Sequence, residues 1–125
     1  MKYLLDTHAL LWYLYGNANL SSKAKEIIDN EICYYSKVSL CEIAIKQTKG
    51  LLQYKQSIQD IIDACKIEEF EELSVTSNSL ELIKSLPDVH RDPFDRLLIT
   101  MAMDNDLTII TTDSKIPLYN VKTVW

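Results

Sequence analysis

A chain of 125 residues, 47% of them hydrophobic, suits one compact domain over residues 1–125 and can build its core without disulfide staples. Thirteen basic residues against eighteen acidic ones leave a net charge of −5, which by itself does not suggest a partner for a phosphate backbone. No apolar run approaches the roughly 20 residues that cross a bilayer, and charge at Lys2 and Asp6 interrupts the start too early for a signal peptide, so a cytoplasmic protein with no membrane attachment is expected.

Lys2 to Asp6 reads as a short buried strand, and Thr7 to Tyr15 as a helix with Leu10, Leu11 and Leu14 on one face, closed by Gly16-Asn17. Ser21 or Ser22 caps a second helix that buries Ala24, Ile27 and Ile28, and Ile32 to Ser36 follows as a strand. Ser39 and Glu42 have capping-box spacing at the start of a third helix, whose stripe is Leu40, Ile43, Ala44 and Gln47 and whose end is Gly50. Ser57 to Lys66 gives a fourth helix, Glu72 to Thr76 a β-prone stretch, and the region around Leu80, Leu82 and Ile83 another helix that stops at Leu86-Pro87. Pro93 opens the next helix where its missing N–H costs nothing. Leu107 to Thr111 is a nearly continuous apolar and β-branched run, as expected of a strand buried on both faces, and Tyr119 to Trp125 adds a last strand. Cys33, Cys41 and Cys65 are odd in number, lack metal-ligand spacing and read as buried reduced thiols. Alternating strands and helices predict an α/β fold, a three-layer α/β/α sandwich around a mainly parallel sheet.

In open α/β sheets ligands gather beyond the carboxyl ends of the strands. Asp6 ends the first strand, Asp113 follows the Leu107 to Thr111 strand, and Glu42 and Asp95 are expected in first turns of helices entered from loops. All four carboxylates can therefore share one rim. Each has a purely structural alternative as well: Asp6 as a helix cap, Asp95 facing a helix dipole, Glu42 paired with Lys46, Asp113 in a turn with Ser114. Asp6 follows so apolar a strand that its charge asks for a cation or for donors, and Asp95 leans to the core side of its helix. An all-oxygen set without an obvious histidine matches Mg²⁺ or Mn²⁺ and argues against zinc or copper. Two such ions about 4 Å apart would orient and deprotonate a water at a scissile phosphate, and their charge would offset most of the acidic balance.

Four segments in order along the whole chain carry a resemblance: Leu5-Asp6-Thr7-His8-Ala9-Leu10-Leu11-Trp12, Ser36 to Lys46, His90-Arg91-Asp92-Pro93-Phe94-Asp95-Arg96-Leu97-Leu98, and Thr111-Thr112-Asp113. The chain resembles PIN-domain ribonucleases and, within them, the VapC-type toxins of toxin-antitoxin pairs. The resemblance implies that Asp6, Glu42, Asp95 and Asp113 hold the metal, with Thr7 and Thr111 as hydroxyls supporting them. It implies endoribonuclease activity on RNA by a metal-activated water, leaving 5′-phosphate and 3′-hydroxyl ends. It further implies a cognate antitoxin whose peptide fills the active groove, and a homodimer. Cys41 departs from the family pattern, where an aromatic residue is common.

Arg91 and Arg96 are candidate RNA contacts, ahead of Lys46 and Lys115, although exposed cations are more often solvated surface. Asp92 reads as a cap for the helix begun at Pro93, and His8 as a local hydrogen-bonding group at the first helix. Trp12, Tyr13 and Tyr15 make either core contacts or an exposed aromatic patch. His90-Arg91-Asp92 matches a fragment of the kinase catalytic loop, but Leu97 stands where its asparagine belongs and no glycine-rich loop exists. A receiver-like phospho-acceptor domain would need an aspartate in the Gly50 to Tyr54 region, and none is present. A catalytically silent PIN-like module that binds RNA or protein keeps the fold without the chemistry, and activity with and without metal separates it from the enzyme.

Overall fold

The computed structural model describes residues 1–125. Five strands form one sheet in the order β3-β2-β1-β4-β5: β1 is Lys2–Leu5, β2 Ile32–Ser36, β3 Glu71–Leu73, β4 Thr108–Ile110 and β5 Thr123–Val124. Every pairing is parallel, with Leu4 opposite Tyr34 on one side and Ile109 on the other. The six helices are α1 Thr7–Leu14, α2 Ser22–Asn30, α3 Lys37–Thr48, α4 Ile58–Ile67, α5 Ser77–Ser85 and α6 Pro93–Asn105.

The strand pleat divides the core. Tyr3, Leu5, Cys33, Tyr35 and Ile110 point to one face and pack with Ala9, Leu10, Leu11, Ile28 and Ile61 of α1, α2 and α4. Leu4 and Ile109 point to the other and meet Leu98, Ile99, Met101 and Ala102 of α6. Because both faces of β1 and β4 are covered, their apolar runs show no alternation. Helix α3 contributes Leu40 and Ile43 to the first cluster and Val38 to the second, so it wraps one end of the sheet.

The third helix begins earlier than its sequence suggests. Ser36 is the N-cap, its hydroxyl accepting the Val38 amide at 3.0 Å, and no capping box forms at Ser39 and Glu42. Ser39 is instead fully buried beside Thr7, and Glu42 falls in the second turn rather than the first. Its end agrees with the sequence: Gly50 takes a φ of +68° just past the last turn, a left-handed conformation that suits glycine. Cys33 and Cys65 are buried and reduced, while Cys41 is exposed on α3, against the expectation for all three. Tyr13 and Tyr15 are half-buried against Phe70 and Tyr54, and Trp12 meets Trp125 edge-on, so these aromatics pack onto neighbouring elements. The last strand covers only Thr123–Val124.

Candidate metal centre

The chain crosses from one half of the sheet to the other between β1 and β4, and the crevice beyond their carboxyl ends is where an open α/β sheet places a ligand. A hollow of about 300 Å³ lies there, lined by ten residues, none hydrophobic, that include Asp6, Glu42, Asp95 and Asp113. Four segments far apart in sequence thus bring their carboxylates to one place.

Asp6 ends β1 and is 6% exposed. Its Oδ1 accepts the Ala9 amide at 2.8 Å, so it also caps α1. Burial raises its pKa, opposed by hydrogen bonds from the Thr111 hydroxyl and the Ala9 amide. Glu42 is 4% exposed. Its Oε1 receives the Thr7 hydroxyl at 2.7 Å, and its Oε2 the Lys46 ammonium at 2.6 Å. The pairing with Lys46 expected as a structural alternative therefore exists inside the hollow itself. Lys46 is held above the ordinary lysine range, chiefly by its hydrogen bond to Glu42.

Asp95 is strongly perturbed. Burial first, then the charges of Asp92, Glu42 and Asp6, push it up to about 7, with His90 acting in the opposite sense. Asp113 is the most open of the four, its side chain 31% exposed. Desolvation works against its charge, but the Lys115 amide, His90 and the Ile116 amide together hold it below the usual carboxylate range. The turn it makes runs to Lys115 and Ile116, whose amides reach its Oδ1 at 2.7 and 3.1 Å, and not to Ser114. Thr111 links the two ends of the site: its hydroxyl lowers the pKa of Asp6 and accepts the Asp113 amide at 3.0 Å.

Sequence reasoning missed His90. It is buried, and its Nε2 lies 3.1 Å from both Asp95 Oδ2 and Asp113 Oδ2. Its Nδ1 accepts the Asp92 amide at 3.1 Å, so Nε2 is the nitrogen that carries hydrogen and faces the acids. His90, Asp95 and Asp113 bring ligand atoms within 4.8 Å of one another. With both ring nitrogens engaged as donor and acceptor, the imidazole is built to hold two carboxylates side by side rather than to ligate an ion through Nε2.

The loop that presents His90 is pinned by two side chains. Tyr119 accepts the amides of Val89 and His90 at 3.0 and 2.7 Å and donates to the Pro87 carbonyl at 2.7 Å. Arg96 donates to the carbonyls of Leu86, Pro87 and His90 at 3.0 to 3.2 Å. Arg96 is thereby committed to the loop and is not a free phosphate contact, whereas Arg91 is exposed. Asp92 is the N-cap of α6, accepting the Phe94 amide at 2.9 Å, and its carboxylate also lines the hollow. His8 stacks on Trp12 with ring centroids 5.3 Å apart, in place of the expected local hydrogen bond.

A parallel-sheet protein with carboxylates converging at its topological switch point is the class that fold and site define. Residues 3–122 match the sequence model of the PIN domain, and the chain belongs to the PIN-domain family. None of the curated proteins matches it in sequence. Among solved structures it is similar to VapBC2 from Rickettsia felis bound to a promoter DNA fragment, at 15% identity and a TM-score of 0.73 over 99% of this chain and 98% of that one. It is also similar to DNA-bound VapBC from Salmonella typhimurium, at 12% identity and a TM-score of 0.67 over 99% and 97%. A third likeness is to FitAcB from Neisseria gonorrhoeae, at 14% identity and a TM-score of 0.62 over 98% and 96%. At such identities these structures share the fold. No helix is long and apolar enough to cross a membrane.

Proposed function

We propose that the chain is a Mg²⁺-dependent endoribonuclease, able to use Mn²⁺, that hydrolyses RNA in the cytoplasm as the toxin of a toxin-antitoxin pair. The observation that carries this reading is the convergence of Asp6, Glu42, Asp95 and Asp113 on one hollow with no hydrophobic lining. Burial first, and then the neighbouring acids, raise Asp95 to about 7, and a hard divalent cation compensates buried, mutually repelling carboxylates through oxygen ligands. The four carboxylates would hold it, and when bound it supplies Lewis-acid polarisation and a water of lowered pKa.

The remaining groups position and compensate. Thr7 fixes the rotamer of Glu42 through Oε1. His90 holds Asp95 and Asp113 together through Nε2, and the Thr111 hydroxyl fixes the Asp113 backbone. Arg91, exposed beside the hollow, is the guanidinium available to an RNA phosphate. Membership of the PIN-domain family supports nuclease chemistry, and the likeness to VapBC and FitAcB structures supports an antitoxin partner; coverage of the hollow by that partner and a homodimer belong to the same proposal.

The test is cleavage of RNA by purified protein free of antitoxin. Wild type should cut with Mg²⁺ and stop with a chelator, and Asp6→Asn should lose cleavage, leaving 5′-phosphate ends only in the wild-type reaction. Equal cleavage by both proteins would overturn the site assignment. RNA retained by an intact but inactive wild type would instead mark a silent binding module.

A further inference from the structure

Glu42 differs from the other three acids in being paired with a lysine: Thr7 occupies its Oε1 at 2.7 Å and the Lys46 ammonium its Oε2 at 2.6 Å. The two partners are not alike. Thr7 is 4% exposed and lies one residue after Asp6 at the start of α1, so it is fixed by the core. Lys46 lies one helical turn beyond Glu42 on α3, and its side chain keeps 31% of its surface open. It also stands on a boundary. Besides the acidic hollow, Lys46 lines a second hollow of about 430 Å³ whose walls include Lys49, Arg91, Ile45, Leu51 and Phe94.

We propose that Lys46 is a built-in counter-cation: its ammonium compensates Glu42 in the metal-free protein and is displaced towards the neighbouring hollow when a divalent ion takes the carboxylate. The inference rests on the metal-centre reading above and adds a competition that neither the family nor the ligand set requires. An ammonium 2.6 Å from Oε2 competes for that oxygen with an ion that would ligate it. A monovalent and a divalent cation held within a few ångströms also repel, more strongly at a buried site than in water. Thr7 would keep Glu42 oriented during the exchange, because it uses the other oxygen. The displaced ammonium would join Lys49 and Arg91 beside the hollow, where a polyanion can neutralise all three.

Mn²⁺ binding to metal-free protein, followed without RNA by the electron paramagnetic resonance signal of free Mn²⁺, tests the competition. Lys46→Met should bind Mn²⁺ on the order of tenfold more tightly than wild type, while the charge-keeping Lys46→Arg should stay close to wild type. Unchanged or weaker binding by Lys46→Met, beside a wild type that does bind, would overturn the displacement and leave the metal-centre reading intact. Absence of binding in wild type and both variants would overturn both. A measurement on wild type alone guards against misfolding of the variants: the rate of amine acetylation at Lys46, relative to Lys115, should rise on saturation with Mn²⁺. An unaltered ratio would contradict release of the ammonium.

Discussion

Asp95 shows how one residue reports the purpose of a site. It occupies the first turn of α6, a position that ordinarily favours a carboxylate, yet burial and three neighbouring acids push it up to about 7. The folded protein therefore binds a proton at Asp95 more tightly than the unfolded chain, whose aspartates titrate near 3.9. Stability of the metal-free protein should fall as pH rises from about 4 to about 7, then level off at this residue. The shift sets an upper limit of about 4 kcal/mol, and relaxation of the site reduces what is realised. Asp95→Asn should raise the metal-free melting temperature at pH 7.5 by about 3 °C or more, flatten its pH dependence and abolish cleavage. Thermal denaturation from pH 4 to 8 checks the first two, and an Asn variant that melts well below wild type at pH 7.5 would contradict the electrostatic account.

Such perturbation was partly legible in the sequence. Asp6 could be placed at the core boundary because Tyr3, Leu4 and Leu5 precede it, and Asp95 because it lies one turn before Leu98. His90 was not legible, since its role depends on an Asp113 carboxylate 23 residues away and on an Asp92 amide that local pattern cannot orient. Lys46 was visible as a helical partner of Glu42, but the hollow they share was not.

Among the elements, the connection from α5 to α6 does the most to position the site, although it has no regular structure. Tyr119, far along the chain, receives two loop amides and donates to one carbonyl, and Arg96 binds three carbonyls. Tyr119→Phe keeps the ring while leaving the amides of Val89 and His90 without that acceptor, at a cost of about 1–3 kcal/mol. It should lower the melting temperature and, by loosening His90, reduce metal-dependent cleavage more than RNA binding. Denaturant unfolding combined with separate kcat and KM measurements checks this, and a variant with full stability and full turnover would contradict the loop's role. The start of α3 carries a different lesson. Ser39 and Glu42 have capping-box spacing, but Ser36 caps the helix at the end of β2 and Ser39 is drawn into the interior beside Thr7. Strand-to-helix continuity outweighed the local signature, and it moved Glu42 one turn deeper, where its carboxylate meets Lys46.

At the scale of the whole molecule, the site follows from sheet order. β1 is central, flanked by β2 and β4, so residues just after β1 and β4 converge with α3 and α6 on one crevice. The alternation of strands and helices made the three layers predictable, and the unbroken apolar runs of Tyr3–Leu5 and Leu107–Ile110 marked the strands covered on both faces. The pairing partners of β1 were not predictable, because a parallel strand buried on both sides looks alike in any interior position. The −5 net charge is likewise understandable only in three dimensions: five acids, Asp92 among them, line the hollow, and Lys46, Lys49 and Arg91 border its neighbour.

Anomalous diffraction at the manganese edge from Mn²⁺-soaked crystals shows whether Asp6, Glu42, Asp95 and Asp113 form one divalent-metal centre. An anomalous peak is expected within ligand distance, about 2.0–2.4 Å, of carboxylate oxygens of Asp6 and Asp95, with Glu42 turned to the ion and Lys46 withdrawn. A fully soaked crystal with no peak in this hollow, or with manganese bound only elsewhere on the surface, would contradict it.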